Sequence, residues 1–89
     1  MNIIPLNRPG SHYTATIFGL SPEQITALLG FKPNVKDDPY KVSHSWGFTA
    51  EGKVCGVWSR KGSEKMNQFS ACGPVGLLAE IFGAQHVKN

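Results

Sequence analysis

Hydrophobic and polar positions alternate most strictly between residues 42 and 49, where Val42, His44, Trp46 and Phe48 are interleaved with Ser43, Ser45, Gly47 and Thr49. A two-residue period is that of a strand with one buried face. A second run, Val54, Cys55, Gly56, Val57 and Trp58, follows Glu51-Gly52, so the stretch 40–62 reads as a hairpin. Its register depends on the loop. A two-residue type I′ turn needs positive φ at Glu51, whereas a three-residue loop Ala50-Glu51-Gly52 needs it only at Gly52, and the longer loop is expected on that ground. It would pair Thr49 with Lys53, Phe48 with Val54, Trp46 with Gly56 and His44 with Trp58, gathering both tryptophans and Phe48 under the helices. Ser43, Ser45, Gly47, Cys55, Val57 and Ser59 would then make a face of small side chains open to close approach. The two-residue turn would instead move Trp58 to the other face, as an exposed anchor beside Arg60.

The rest of the chain is read around this hairpin. Residues 1–11 carry two prolines and no period, and are expected to form a mobile arm. Residues 12–18, rich in Thr, Tyr and Ile, predict a first strand ended by Gly19. Ser21-Pro22-Glu23-Gln24 starts a helix: Ser21 as N-cap, Pro22 at the first helical position and Gln24 to complete the capping box. Ile25, Leu28 and Leu29 fall on one face, and Gly30-Phe31 supplies a left-handed cap with its hydrophobic contact. Residues 31–39, with two prolines and mixed charge, read as a crossover loop. After the hairpin, residues 61–65 predict a polar turn and residues 66–72 a further strand with Phe69 and Ala71 toward the core. Gly73-Pro74 opens a second helix whose stripe is either Val75, Leu78 and Phe82 or Leu77 and Ile81. Gly83 ends it, and residues 84–89 are expected to fray. The predicted class is α+β: an antiparallel sheet of three to four strands with two helices on one face, in the order strand, helix, strand, strand, strand, helix.

The 89 residues make one domain. A chain of this size buries only roughly 60–65% of its unfolded surface, so association as a homodimer would add stability. The net charge is +3, and the nine Lys and Arg are scattered, which permits nucleic-acid contact without requiring it. Cys55 and Cys72 have neither a CxxC spacing nor a nearby His pair, and read as reduced, packed thiols rather than zinc ligands. No charged-then-apolar leader and no apolar run near ~18 residues is present, so the expectation is a cytoplasmic protein that stays off membranes.

A nucleophile needs a base within reach, and His44 with Cys55 is the best pair in the sequence, yet the expected register sets them on opposite faces. His12, His44 and His86 are too dispersed for a metal triad, and Asp37-Asp38 reads as a solvated turn. No cofactor is implied, and the chain reads as a non-enzyme. The binding residues expected instead are Lys53, Arg60, Lys61, Ser63 and Lys65, a basic edge whose Gly-Ser turn offers backbone N–H groups to a phosphate or an acidic protein surface.

The helix, three strands and helix after residue 20 resemble the order of a double-stranded RNA-binding domain. Gly73-Pro74-Val75-Gly76, however, lacks the lysines such domains aim at phosphates. A second resemblance spans residues 20 to 83: Ser45-Trp46-Gly47-Phe48, Gly52, Cys55, Trp58, Lys61-Gly62-Ser63 and the closing Ile81-Phe82-Gly83 resemble small accessory proteins of tailed bacteriophages. Ser59-Arg60 stand where those proteins tend to have an acidic and an aromatic residue. That resemblance implies a stoichiometric inhibitor acting in the host cytoplasm on a host protein or protein–nucleic acid complex, such as an anti-CRISPR or other anti-defence factor. The alternative is a small nucleic-acid or nucleotide-binding module.

Overall fold

The computed structural model describes residues 2–8, 12–36, 42–60 and 66–89. In chain order these form β1 (Ile3–Pro5), β2 (Ala15–Phe18), α1 (Pro22–Leu29), β3 (Val42–Ala50), β4 (Lys53–Arg60), β5 (Gln68–Cys72), α2 (Val75–Phe82), a 3-10 turn (Ala84–His86) and β6 (Val87–Lys88). The class is α+β, with one six-stranded antiparallel sheet in the order β1-β3-β4-β5-β2-β6.

The turn between β3 and β4 fixes the central register. Ala50 pairs with Lys53, and both Glu51 (φ 51°) and Gly52 (φ 75°) are left-handed, so the loop has two residues and not the expected three. The left-handed conformation costs Glu51 about 1–2 kcal/mol. Against this stands the primed turn, whose twist matches that of the strands it joins. Packing points the same way: Trp46, Phe48 and Phe69 already occupy the layer beneath two eight-residue helices, and a second indole would overfill it. The pairs are therefore Phe48 with Cys55, Gly47 with Gly56, Trp46 with Val57 and Ser45 with Trp58. Cys55, Val57 and Ser59 turn into the core, and Val54, Gly56 and Trp58 turn out, which corrects the sequence-based pairing.

Both helices cover the same face. Ser21 caps α1 as its chemistry dictates: its hydroxyl accepts from Gln24 N–H at 3.2 Å, and its own N–H donates to Gln24 Oε1 at 2.8 Å. Ile25 and Leu29 of α1 and Leu78 and Phe82 of α2 join Ala15, Ile17, Trp46, Phe48, Val57, Phe69 and Ala71 in one buried cluster. Leu78 and Phe82 are the buried positions of α2, and Val75, Leu77 and Ile81 are all partly buried against the same cluster, so both predicted stripes contribute. Phe31, after the Gly30 cap, meets Phe48 edge to face at 6.5 Å.

Two stretches expected to be loose supply strands. Residues 3–5, within the expected arm, pair with the turn end of β3, and Pro5 is tolerated because β1 is an edge. Residues 87–88, within the expected frayed tail, pair with β2, and Val87 packs against the core. These account for the sheet being wider than three to four strands.

Past β1, the outer edge of β3 is closed by loops. Leu6 N–H donates to Gly47 C=O at 2.8 Å, and the N–H groups of Asn34 and Val35 donate to Ser45 C=O at 3.1 and 3.2 Å. The Asn34 amide accepts from Gly47 N–H at 2.9 Å and donates to Gly47 C=O at 3.1 Å, standing in for a neighbouring strand.

Candidate binding face of the sheet

With both helices on one side, the other side of the sheet is covered over β3 at Gly47 by residues 6–8 and Val35, and its open surface runs from Trp58 on β4 to β6. Ser45 faces Trp58, Trp58 faces Ser70, Ser70 faces Thr16 and Thr16 faces Lys88, so one row crosses β3, β4, β5, β2 and β6. The neighbouring row holds Phe18 opposite Gln68, and Arg60 stands two residues beyond Trp58 on the same face. Tyr13 lies over this surface, its hydroxyl hydrogen-bonded to that of Thr16. Tyr13 is 61% exposed and Phe18 38%, whereas Trp58 is half-buried. Tyr13, Thr16, Phe18, Gln68, Lys88 and Asn89 line a depression of about 460 Å³.

No acidic side chain of the described residues stands on the open face. Arg60 and Lys88 stand on the open face, and the backbone of residues 6–8 crosses it at Gly47, bringing exposed Arg8 to the same side. Among the described residues the acids lie elsewhere: Glu23 in α1, Glu51 in the hairpin turn and Glu80 in α2.

The expected basic edge is not one surface in its described part. Lys53 opens β4 beside the hairpin turn and shares the parity of Cys55, whereas Arg60 closes β4 and shares that of Trp58. Seven residues of strand put them roughly 23 Å apart. Lys61, Ser63 and Lys65, with Asp37 and Asp38, lie outside the described residues. Arg60 thus keeps company with Trp58 rather than with Lys53.

His44 and Cys55 do share the helix-facing side, but four residues of β4 separate Ser59, the partner of His44, from Cys55, roughly 13 Å. His44 instead stacks on Trp46 at 5.9 Å with 15° between the ring planes. Its Nδ1 lies 3.5 Å from Ser59 Oγ, which is 2.8 Å from Ser43 Oγ at the bulge between Val42 and His44. Ser59 is wholly buried, and these contacts satisfy its interior hydroxyl. A second, mostly apolar cleft of about 270 Å³ lies on the helix side between Pro22, Glu23, Thr26, Lys32, Pro33, His44 and Trp46. Among the described residues no group of three or more His, Cys, Asp or Glu could hold a metal ion, and no helix is long and apolar enough to cross a membrane.

Both cysteines are buried. Burial, with a smaller push from Cys72 and against a backbone hydrogen bond involving Ala50, raises the Cys55 thiol from 9.0 to about 11. The folded value exceeds the unfolded one, so the protonated thiol's contribution is whole below pH 9.0 and is lost as pH climbs toward about 11. Urea midpoints measured below pH 9.0 and again near pH 11 are expected to fall further for the native protein than for Cys55→Ala. Equal falls would show that the thiolate is not resisted by the core.

No protein-family model, curated protein or solved structure matches the chain.

Proposed function

We propose that the chain is a non-enzymatic binding protein whose working surface is the open face of the sheet. On this reading it acts in the host cytoplasm as a phage accessory factor, occupying and inhibiting a host protein or protein–nucleic acid complex, as anti-CRISPR and other anti-defence proteins do. The observation that supports it is one face on which Tyr13, Phe18, Trp58, Arg60 and Lys88 gather without an acidic residue among the described strands. Tyr, Trp and Arg are the side chains that most often anchor interfaces, Tyr and Trp because they bring large, rigid contact area with a polar group, and Arg because its planar fork makes several directed hydrogen bonds. Cations at both ends of the face, with no acid between them among the described residues, steer an acidic partner toward it.

The test is capture of a bacterial complex on tagged protein after nuclease treatment, followed by affinity measurement against the purified complex. Arg60→Glu with Lys88→Glu is expected to weaken that affinity at least about tenfold, a change of about 1.4 kcal/mol. Lys53→Glu, at the other end of β4, is expected to leave it within about twofold. The reverse ranking would place the working surface at the hairpin turn.

A further inference from the structure

We infer that the open face binds single-stranded nucleic acid directly, an inference that rests on the binding face argued above and names what it holds. The surface has the two components such binding needs, rings to stack on bases and cations to follow the backbone. Tyr13 is 61% exposed and Phe18, edge-on to His86, is 38% exposed, and with Thr16 they line a depression of about 460 Å³, within the size range of small-ligand sites. Gln68 and Asn89 at its rim are amides with both donors and acceptors for a base edge. Lys88 closes one side, and three strand spacings away, roughly 14 Å, Trp58 and Arg60 offer a second ring and a second cation. That span suits about two to three unpaired bases, the number that other sheet platforms stack.

The occupant follows from charge and shape. Acids are missing from this face among the described residues, so the complementary partner is anionic. A six-stranded sheet is broader than the helix or two-stranded ribbon that a major groove admits, and paired bases hide the faces those rings would stack on. An acidic peptide would satisfy Arg60 and Lys88 but would leave Tyr13 and Phe18 without planar partners. An unpaired strand satisfies both.

The test is fluorescence anisotropy with a labelled oligothymidylate, the same length of mixed single-stranded RNA, and a duplex as the comparison. Single strands are expected to bind more tightly than duplex. Neutralising about three phosphates, with Arg8, Arg60 and Lys88, predicts a slope of log affinity against log salt near −2. Tyr13→Ala and Phe18→Ala are each expected to weaken binding about tenfold, and Lys88→Glu to flatten the slope. Tyr13 is so exposed that its removal leaves the fold intact, which circular dichroism checks. Absence of binding near 50 mM salt, or binding unchanged in Tyr13→Ala and equal for duplex, overturns the inference. If strands fail to bind while a nuclease-resistant host complex is still lost with Arg60→Glu and Lys88→Glu, the inference falls and the binding-face reading stands. If that complex is unaffected too, both fall.

Discussion

Trp46→Ala is expected to lower the melting temperature by about 15 °C or more, a loss of about 3–5 kcal/mol from a domain whose whole margin is about 5–13 kcal/mol. Trp46 is 1% exposed and sits where three elements meet. Its Nε1 donates to Thr26 Oγ1 of α1 at 3.3 Å, its ring meets Phe69 of β5 edge to face at 5.8 Å, and His44 stacks on it. Removing the indole leaves a cavity under α1 and frees a helix from its sheet. Trp58→Ala is the informative comparison, because Trp58 lies half-buried on the open face and its loss is expected to cost under about 1.5 kcal/mol. Thermal unfolding of the two variants reads the hairpin register directly. Equal losses would mean that both indoles belong to the core, as the three-residue loop requires.

The second large effect is expected at Gly47. A Cβ built there would lie 2.2 Å from Leu6 C=O, 2.7 Å from Arg8 C=O and 2.9 Å from Val35 Cγ2. Two of these atoms are backbone and cannot swing aside, so Gly47→Ala must lift residues 6–8 off the sheet or bend β3. Overpacking of this kind costs about 1–3 kcal/mol, and the Leu6 to Gly47 hydrogen bond goes with it. The gain from replacing a strand glycine is smaller, about 0.5–1 kcal/mol. A net loss of about 2 kcal/mol, or roughly 10 °C in melting temperature, is expected. Gly76→Ala in α2, where nothing lies within 4 Å of the added methyl, is expected to move the other way by up to about 1 kcal/mol. A Gly47→Ala protein that melts like the native one would show that residues 6–8 are not seated on β3.

Much of the fold was legible wherever a local rule acts alone. Ser21, Pro22 and Gln24 start α1 as read, Gly30 ends it, and Phe69 and Ala71 face the core. The hairpin itself was legible, but its register was not. A local rule against positive φ at Glu51 competed with strand twist and core volume, and the nonlocal terms won. Strands of three and two residues carry no period, so β1 and β6 had no signal to offer. The open face suffered for the same reason. Arg60 was identified, and Trp58 only under the less favoured turn, while Tyr13, Phe18 and Lys88 meet through pairings such as Thr16 with Lys88 and Phe18 with Gln68. Those pairings join distant parts of the chain, and nothing at either end announces the other.

The outermost strands have a consequence for how copies of this protein can meet. β1 is three residues long and includes a proline, β6 is two residues long, and the exposed part of β3 is taken up by Leu6, Asn34 and Val35. Among the described residues neither border offers a run of free N–H and C=O groups long enough to template another chain. Cross-β growth therefore lacks a starting edge in the folded state, and any fibril must begin from molecules that have first lost a border strand.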